Sequence, residues 1–459
     1  MLGTSLSAFA YGFILAALVT GNAAARAADL SGNESALSHG RFKHLAVYAP
    51  VGSPASFVLL LSGDDGWSGR VVELAQQLRQ RGAMVVGIDL REFEASLEAD
   101  GAECVFADGD LENLSHFVQA YYHLPSYLTP MLVGYSSGAS LAYAALAQAP
   151  RDTFASALSL GFCPALRLQK PLCKGAGVIG NPWVVMQGEN DRRCPAGAAR
   201  EFAAKVQGAA FVLLPQVDES FAPPAKWMPQ LQAAFDSLAA HGASSANPPS
   251  APALGDLPIV EVPAQPGAPP ADSFAIIMSG DGGWAGLDKD IAAALAADGI
   301  AVVGLDSLRY FWSARTPEGL AADTDRMIRY YLAHLNKQRV LLIGYSQGAD
   351  VLPFAVNRLP QASRARVRLA AVLGLSEHAL FEFHLSSWVS NGAGGRPTLP
   401  EVNRMTGMPV LCIYGEDEKD SLCPQLDPTR FSVVKLKGGH HFDGDYAGLA
   451  RQILASASP

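Results

Sequence analysis

Charge is scarce in this chain of 459 residues. Only 17% of them are Asp, Glu, Lys or Arg, against about 25% in an average globular domain. Hydrophobic residues make up 49%. That pairing excludes a disordered chain, which needs the opposite composition. Positive charge is not in excess either: 34 Lys and Arg face 43 Asp and Glu, a net charge of −9. With no basic patch, nucleic acid is not an expected partner. Long apolar runs are also missing. After residue 30 nothing approaches the ~18–20 residues of a spanning helix, so a polytopic membrane protein is excluded. The length alone points to two or three domains.

The first 28 residues differ in kind. Ala8 to Thr20 is almost unbroken apolar sequence, followed by the small-x-small triplet Ala25-Arg26-Ala27. This reads as a secretory signal peptide over 1–28, although no Lys or Arg precedes Arg26; an uncleaved anchor is the alternative. Export, to a periplasm, places the six cysteines where pairing is allowed. Cys412 and Cys423 are candidates in one half, and Cys104, Cys163, Cys173 and Cys194 in the other. Their connectivity is open.

A repeat organises the rest. Residues 57–67 read FVLLLSGDDGW and residues 274–284 read FAIIMSGDGGW. Each block is followed by a helical stretch and a second apolar strand ending in Asp89 or Asp306. MLVGYSSGA around Ser136 matches LLIGYSQGA around Ser346, and VVMQGENDRRCP matches VLCIYGEDEKDSLCP. Four matched blocks in one order make two copies of one fold. Residues 242–257, rich in Pro, Ser, Ala and Gly, form the linker. The domains are then 38–241 and 258–459. Short apolar runs without alternation predict strands covered on both faces. Alternating with helical stretches such as Arg70–Arg81 and Ala321–Leu335, they predict two tandem α/β-hydrolase-type domains, each a mostly parallel, doubly wound sheet.

Gly344-Tyr345-Ser346-Gln347-Gly348 follows the apolar strand Val340–Ile343 and opens a helical stretch, the context of a nucleophile elbow. The turn is so tight that the residues two before and two after the serine must lack a Cβ. A serine needs a base and an acid, in the order Ser, acid, His. The D-x-x-C-P spacing, kept in the first copy as Asp191 to Pro195, favours Asp420 as the acid, with Asp417 and Glu418 as rivals. The base is His440 or His441, after Gly438-Gly439. The oxyanion donors are expected from Gln347 and from the loop of Gly280, Asp281 and Gly282. Trp284 either walls the substrate site or anchors the loop, and Asp281 either meets a cationic group or caps a helix. His378 and His384, before a lid-like stretch at Asn391–Gly395, read as structural. No metal or cofactor is expected.

The first copy keeps Ser136 and Asp191, but Glu219 and Ser220 stand where the second has His440 and His441. It is expected to be catalytically silent.

The S-G-D-x-G-W loop, the G-Y-S-x-G elbow, FEFH and GGHHFDGDY together resemble the VirJ/AcvB family of bacterial virulence proteins. The two-copy length is similar to its longer members, while the shorter ones resemble the second copy alone. The resemblance implies a periplasmic serine hydrolase that releases lysine or alanine from aminoacylated phosphatidylglycerol at the membrane surface. It also implies Ser346, Asp420 and His440 or His441 as the triad. The alternative is a periplasmic adaptor or chaperone for envelope or secretion proteins, with the triad a relic of the fold.

Overall fold

The computed structural model describes residues 37–99, 103–165, 168, 170–173, 179–246, 254–383 and 395–457. The expected signal peptide, His384 and all but Gly395 of the lid-like stretch lie outside them.

The first domain has seven strands: β1 (Ala46–Tyr48), β2 (Ser56–Leu61), β3 (Ala83–Ile88), β4 (Met131–Tyr135), β5 (Ser156–Leu160), β6 (Trp183–Gly188) and β7 (Ala209–Leu214). They lie in the order β1-β3-β2-β4-β5-β6-β7. Only β1 runs antiparallel to its neighbour. The second domain has β8 (Ile259–Val262), β9 (Ser273–Met278), β10 (Val302–Leu305), β11 (Arg339–Tyr345) and β12 (Val367–Leu373). A two-stranded ribbon follows, β13 (His378–Ala379) with β14 (Arg396–Pro397), and then β15 (Val410–Gly415) and β16 (Ser432–Leu436). The main sheet, read from β8, runs β8-β10-β9-β11-β12-β15-β16. That is the order of the first sheet, with the ribbon inserted before the sixth strand.

Both α/β-hydrolase-type domains are therefore present, and the sheets are covered on both faces. In β2 and β9 the alternate residues enter different cores. Phe57, Leu59 and Leu61 belong to one cluster and Val58 and Leu60 to another. Phe274, Ile276 and Met278 likewise separate from Ala275 and Ile277. This is why no hydrophobic alternation shows in the sequence: both sides of the pleat are apolar. Burying each such aliphatic side chain is worth roughly 1.5–3 kcal/mol, so the low charge content is a property of two doubly covered sheets.

Two sequence boundaries move. The helix Met228–Ala246 runs through the first five residues of the expected linker. At its other end, Leu254 and Leu257 are already buried in the second core. The Pro-rich stretch 263–270 is, as expected, the loop between β8 and β9. Among the described residues no helix is long and apolar enough to cross a membrane.

The cysteines pair as Cys104–Cys173, Cys163–Cys194 and Cys412–Cys423. Cys194 and Cys423 occupy matching places in the two copies, yet their partners do not match.

Candidate active site

The elbow is built as its sterics require. Ser346 sits between β11 and the helix Gln347–Arg358 with φ 53° and ψ −120°, a left-handed backbone that L residues adopt only under constraint. A Cβ on Gly344 would lie 2.3 Å from the Gly348 carbonyl oxygen, and one on Gly348 would lie 2.1 Å from that of Met278. Ser136 of the first domain has φ 56° and ψ −122°, with the same exclusions at Gly134 and Gly138. Both elbows are intact.

The S-G-D-x-G-W loop lies against the elbow. Gly280 is within contact of Ser346, since a Cβ there would stand 3.4 Å from that of the serine. Gly283 N–H donates to the Gly280 carbonyl at 3.1 Å, which leaves Asp281 and Gly282 at the tip of a tight turn. Ser279 Oγ accepts from Ser307 N–H at 2.9 Å, as Ser62 Oγ does from Leu90 N–H. The aspartates that end β3 and β10 have a role in this frame: Asp89 accepts from Trp67 N–H at 3.0 Å, and Asp306 accepts from Arg309 N–H at 3.1 Å. As the first residue of its helix, Gln347 has an N–H with no intrahelical acceptor. Of the four expected oxyanion residues, Gln347 adjoins Ser346 and Gly280 is in contact with it, while Asp281 and Gly282 lie at the tip of the turn.

Trp284 does not wall the site. Its ring covers Gly304 of β10, where a Cβ would come within 2.3 Å of it, and Trp67 covers Gly87 in the same way. The tryptophan is a packing anchor used by both copies, including the one with Glu219 and Ser220 in place of the histidine pair.

His440 Nδ1 is hydrogen-bonded to Glu418 Oε1, and Glu418 Oε2 accepts from Gly415 N–H at 2.6 Å. The carboxylate that meets the histidine is Glu418, not Asp420. Asp420 is exposed, and among the described residues it makes no hydrogen bond or ion pair. The Cys-Pro pair misaligns the copies because the second has two more residues between acid and cysteine. Counting instead from the glycine that ends the preceding strand, Gly188 or Gly415, pairs Asp191 with Glu418. Asp191 is held by Gln187 Nε2 at 2.9 Å and Cys194 N–H at 2.8 Å.

The two histidines separate by contact. Tyr345 OH donates to the His440 carbonyl at 3.3 Å and meets His441 Nδ1 at 3.1 Å. His441 Nδ1 therefore meets the tyrosine beside the serine, while His440, whose ring also lies 5.1 Å from that of Tyr345, gives its Nδ1 to the acid. Gly374, at φ +67°, makes room for the imidazole: a Cβ there would lie 2.6 Å from His440 Cε1.

The pair is electrostatically coupled. Burial works to lower the His440 imidazole, but the Glu418 hydrogen bond and the charges of Glu418, Asp281 and Asp350 outweigh it and hold the group above its ordinary value. Burial works to raise Glu418, but the hydrogen bonds from His440 and Gly415 hold it below the ordinary glutamate. Asp350, missed in the sequence, is buried on the elbow helix and accepts from Ser376 N–H and Oγ, each at 2.7 Å. Burial pushes its carboxyl up to about 7. With Nδ1 committed to Glu418, Nε2 is the nitrogen free to take a proton. Among the described residues no hydrogen bond joins Ser346 to His440, a contact that in ligand-free hydrolases commonly forms only with substrate.

The first domain has the same frame without the base. Tyr135 OH donates to the Glu219 carbonyl at 3.2 Å, as Tyr345 does to His440. Phe221 and Phe442 share a positive φ, 52° and 51°. Glu219 therefore stands at the position of His440. Arg193 lies over the serine, with Nη1 2.8 Å from Asp64 Oδ2 and 3.4 Å from Ser136 Oγ.

The family model of the bacterial virulence protein VirJ matches residues 55–165 and 272–458, more than half of the chain and parts of both domains. The chain belongs to the VirJ family. None of the curated proteins compared matches it. Solved structures similar to this VirJ-family chain include the esterase domain of a Rhodothermus marinus protein, at 15% identity and TM-score 0.31, covering 42% of this chain and 90% of that one. Est1E from Butyrivibrio proteoclasticus is 12% identical at TM-score 0.31, covering 44% and 94%. An alpha-beta serine hydrolase homologue from Coxiella burnetii is 16% identical at TM-score 0.31, covering 42% and 89%.

Proposed function

We propose that the second domain is a serine esterase that hydrolyses the aminoacyl ester of lysyl- or alanyl-phosphatidylglycerol at the periplasmic face of the membrane. The observation that carries the reading is the His440–Glu418 pair beside the elbow of Ser346, set against the same elbow at Ser136 with Glu219 in place of the histidine. His440 Nε2 takes the Ser346 proton as Oγ attacks the ester carbonyl carbon. The N–H groups of Gln347 and of the Gly280–Gly282 turn receive the developing oxyanion. The proton then passes to the glycerol oxygen of the departing phosphatidylglycerol, and water repeats the sequence in reverse to free the amino acid. Glu418 fixes the ring and stabilises the imidazolium. His441 supports the loop through Tyr345. Asp281 and Asp350 give the site a negative field suited to the ammonium of an aminoacyl group, and no metal is required.

The test is incubation of the purified protein with lysyl- and alanyl-phosphatidylglycerol. Ser346→Ala should lower amino acid release by about 10⁴-fold or more, while Ser136→Ala leaves it within a factor of two. Absence of release from either lipid would sink the substrate. If a fluorophosphonate probe also failed to label Ser346, the adaptor reading would replace the enzyme.

A further inference from the structure

Between the two domains, behind the S-G-D-x-G-W loop of the second, lies a cavity of about 280 Å³. Glu112 and Thr153 line it from the first domain, and Trp284, Lys289 and Arg309 from the second. Its charges are unevenly matched. Lys289 already donates to Asp152 Oδ2 at 2.6 Å. Arg309 donates to Thr129 Oγ1 at 2.7 Å and faces Asp306 at 3.6 Å. Each cation has its carboxylate. Glu112 has none of this: among the described residues no hydrogen bond or ion pair reaches its carboxyl. Asp108 and Asp281 add negative potential around it, with Lys289 as counterweight, and burial raises the group to about 8. Thr153 is only 5% exposed, and its Oγ1 is buried without a partner.

We propose that this interdomain cavity binds a small molecule carrying a primary ammonium group, which donates to Glu112 and Thr153. A bound cation favours the ionised form of Glu112, so both groups are then acceptors, and an ammonium is the compact donor of three hydrogen bonds that serves both. A half-buried carboxyl on a cavity wall that lacks a partner gains from a cation. The volume lies near the lower limit of ligand pockets, so it admits a free amino acid or a diamine and only the headgroup of a lipid. Gly282 and Gly283 form part of the wall, so occupancy bears on the loop beside Ser346. Asp281 lies in the fields of both Glu112 and His440.

Binding is measured by calorimetry on the whole chain carrying Ser346→Ala, so the result does not depend on the esterase reading. The probes are L-lysine, 1,5-diaminopentane, acetate, and phosphatidylcholine vesicles with and without lysyl-phosphatidylglycerol. L-lysine and the diamine should bind, with affinity falling about tenfold or more in Glu112→Gln and severalfold in Thr153→Val. Glu112-dependent binding of the aminoacyl-lipid vesicles alone would keep the ammonium and assign it to a headgroup. Three results would overturn the site: no probe amine binds at millimolar concentration, Glu112→Gln binds as well as its parent, or acetate binds as tightly as the amines.

Discussion

Glu418 and His440 share one hydrogen bond, and the chemistry of the second domain turns on which partner holds the proton. The imidazole is raised above its ordinary value of 6.5 by that contact. A base must be neutral to act, so esterase activity should fall as the pH drops through a value above 6.5. Glu418→Gln removes the negative charge that stabilises the imidazolium. The acid limb of the kcat/KM profile should then move to lower pH, while the plateau falls by about 10²–10⁴-fold. A limb that stays in place would separate Glu418 from the base.

At the residue scale the sequence was legible where sterics leave no choice and opaque where partners must be seen. Ser346 could be placed because the glycines on either side of it are dictated by a backbone turn. His440 and His441 are undivided in the sequence because adjacent residues differ only in where they point, and the Glu418 carboxylate makes that distinction in space. The shared Cys-Pro pair points to Asp420 over Glu418 as if it were a register mark. A two-residue insertion moves it away from the acid, and the glycine ending the strand keeps register better.

Among the elements, the strand-turn-helix of the elbow is the most constrained. Gly348→Ala would push a methyl to 2.1 Å from the Met278 carbonyl oxygen, and Gly138→Ala would do the same at 2.2 Å from that of Ser62. Each change should cost about 1–3 kcal/mol, as overpacking in a close-packed interior does. The two should then part in function: Gly348→Ala loses at least tenfold in esterase activity, and Gly138→Ala keeps it. Chemical denaturation and turnover, measured on both variants, check this. The strands themselves were readable as short apolar runs because both faces of each sheet are covered. The reach of the helix Met228–Ala246 into the expected linker was not, since Gly, Ala and Ser at its end have the composition of a flexible spacer.

At the scale of the molecule, the contact between domains is the part that composition and motif could not announce. Trp312 donates its indole N–H to the Leu124 carbonyl at 2.7 Å. Its ring stacks on Phe383 at 5.2 Å and meets Tyr127 of the first domain at 5.4 Å. These residues belong to loops, carry no repeat signature and have no counterpart pairing within one copy. A half-buried aromatic that meets the other domain in this way is a natural anchor of an interface. Trp312→Ala should loosen the two halves by about 2 kcal/mol, seen as a lower midpoint in chemical denaturation. The Ser346 site itself should still react with a fluorophosphonate. An unchanged midpoint would show that other contacts carry the interface.

Each half completes its seven-stranded sheet from its own residues, and neither lends the other a strand. The two are joined by covalent continuity and a side-chain interface, not by a shared ladder of backbone hydrogen bonds. A gene split between the two copies would therefore still specify two whole sheets. The first half could be lost, kept or encoded elsewhere without unravelling the other, and what they hold between them, the cavity at Glu112, would go with it.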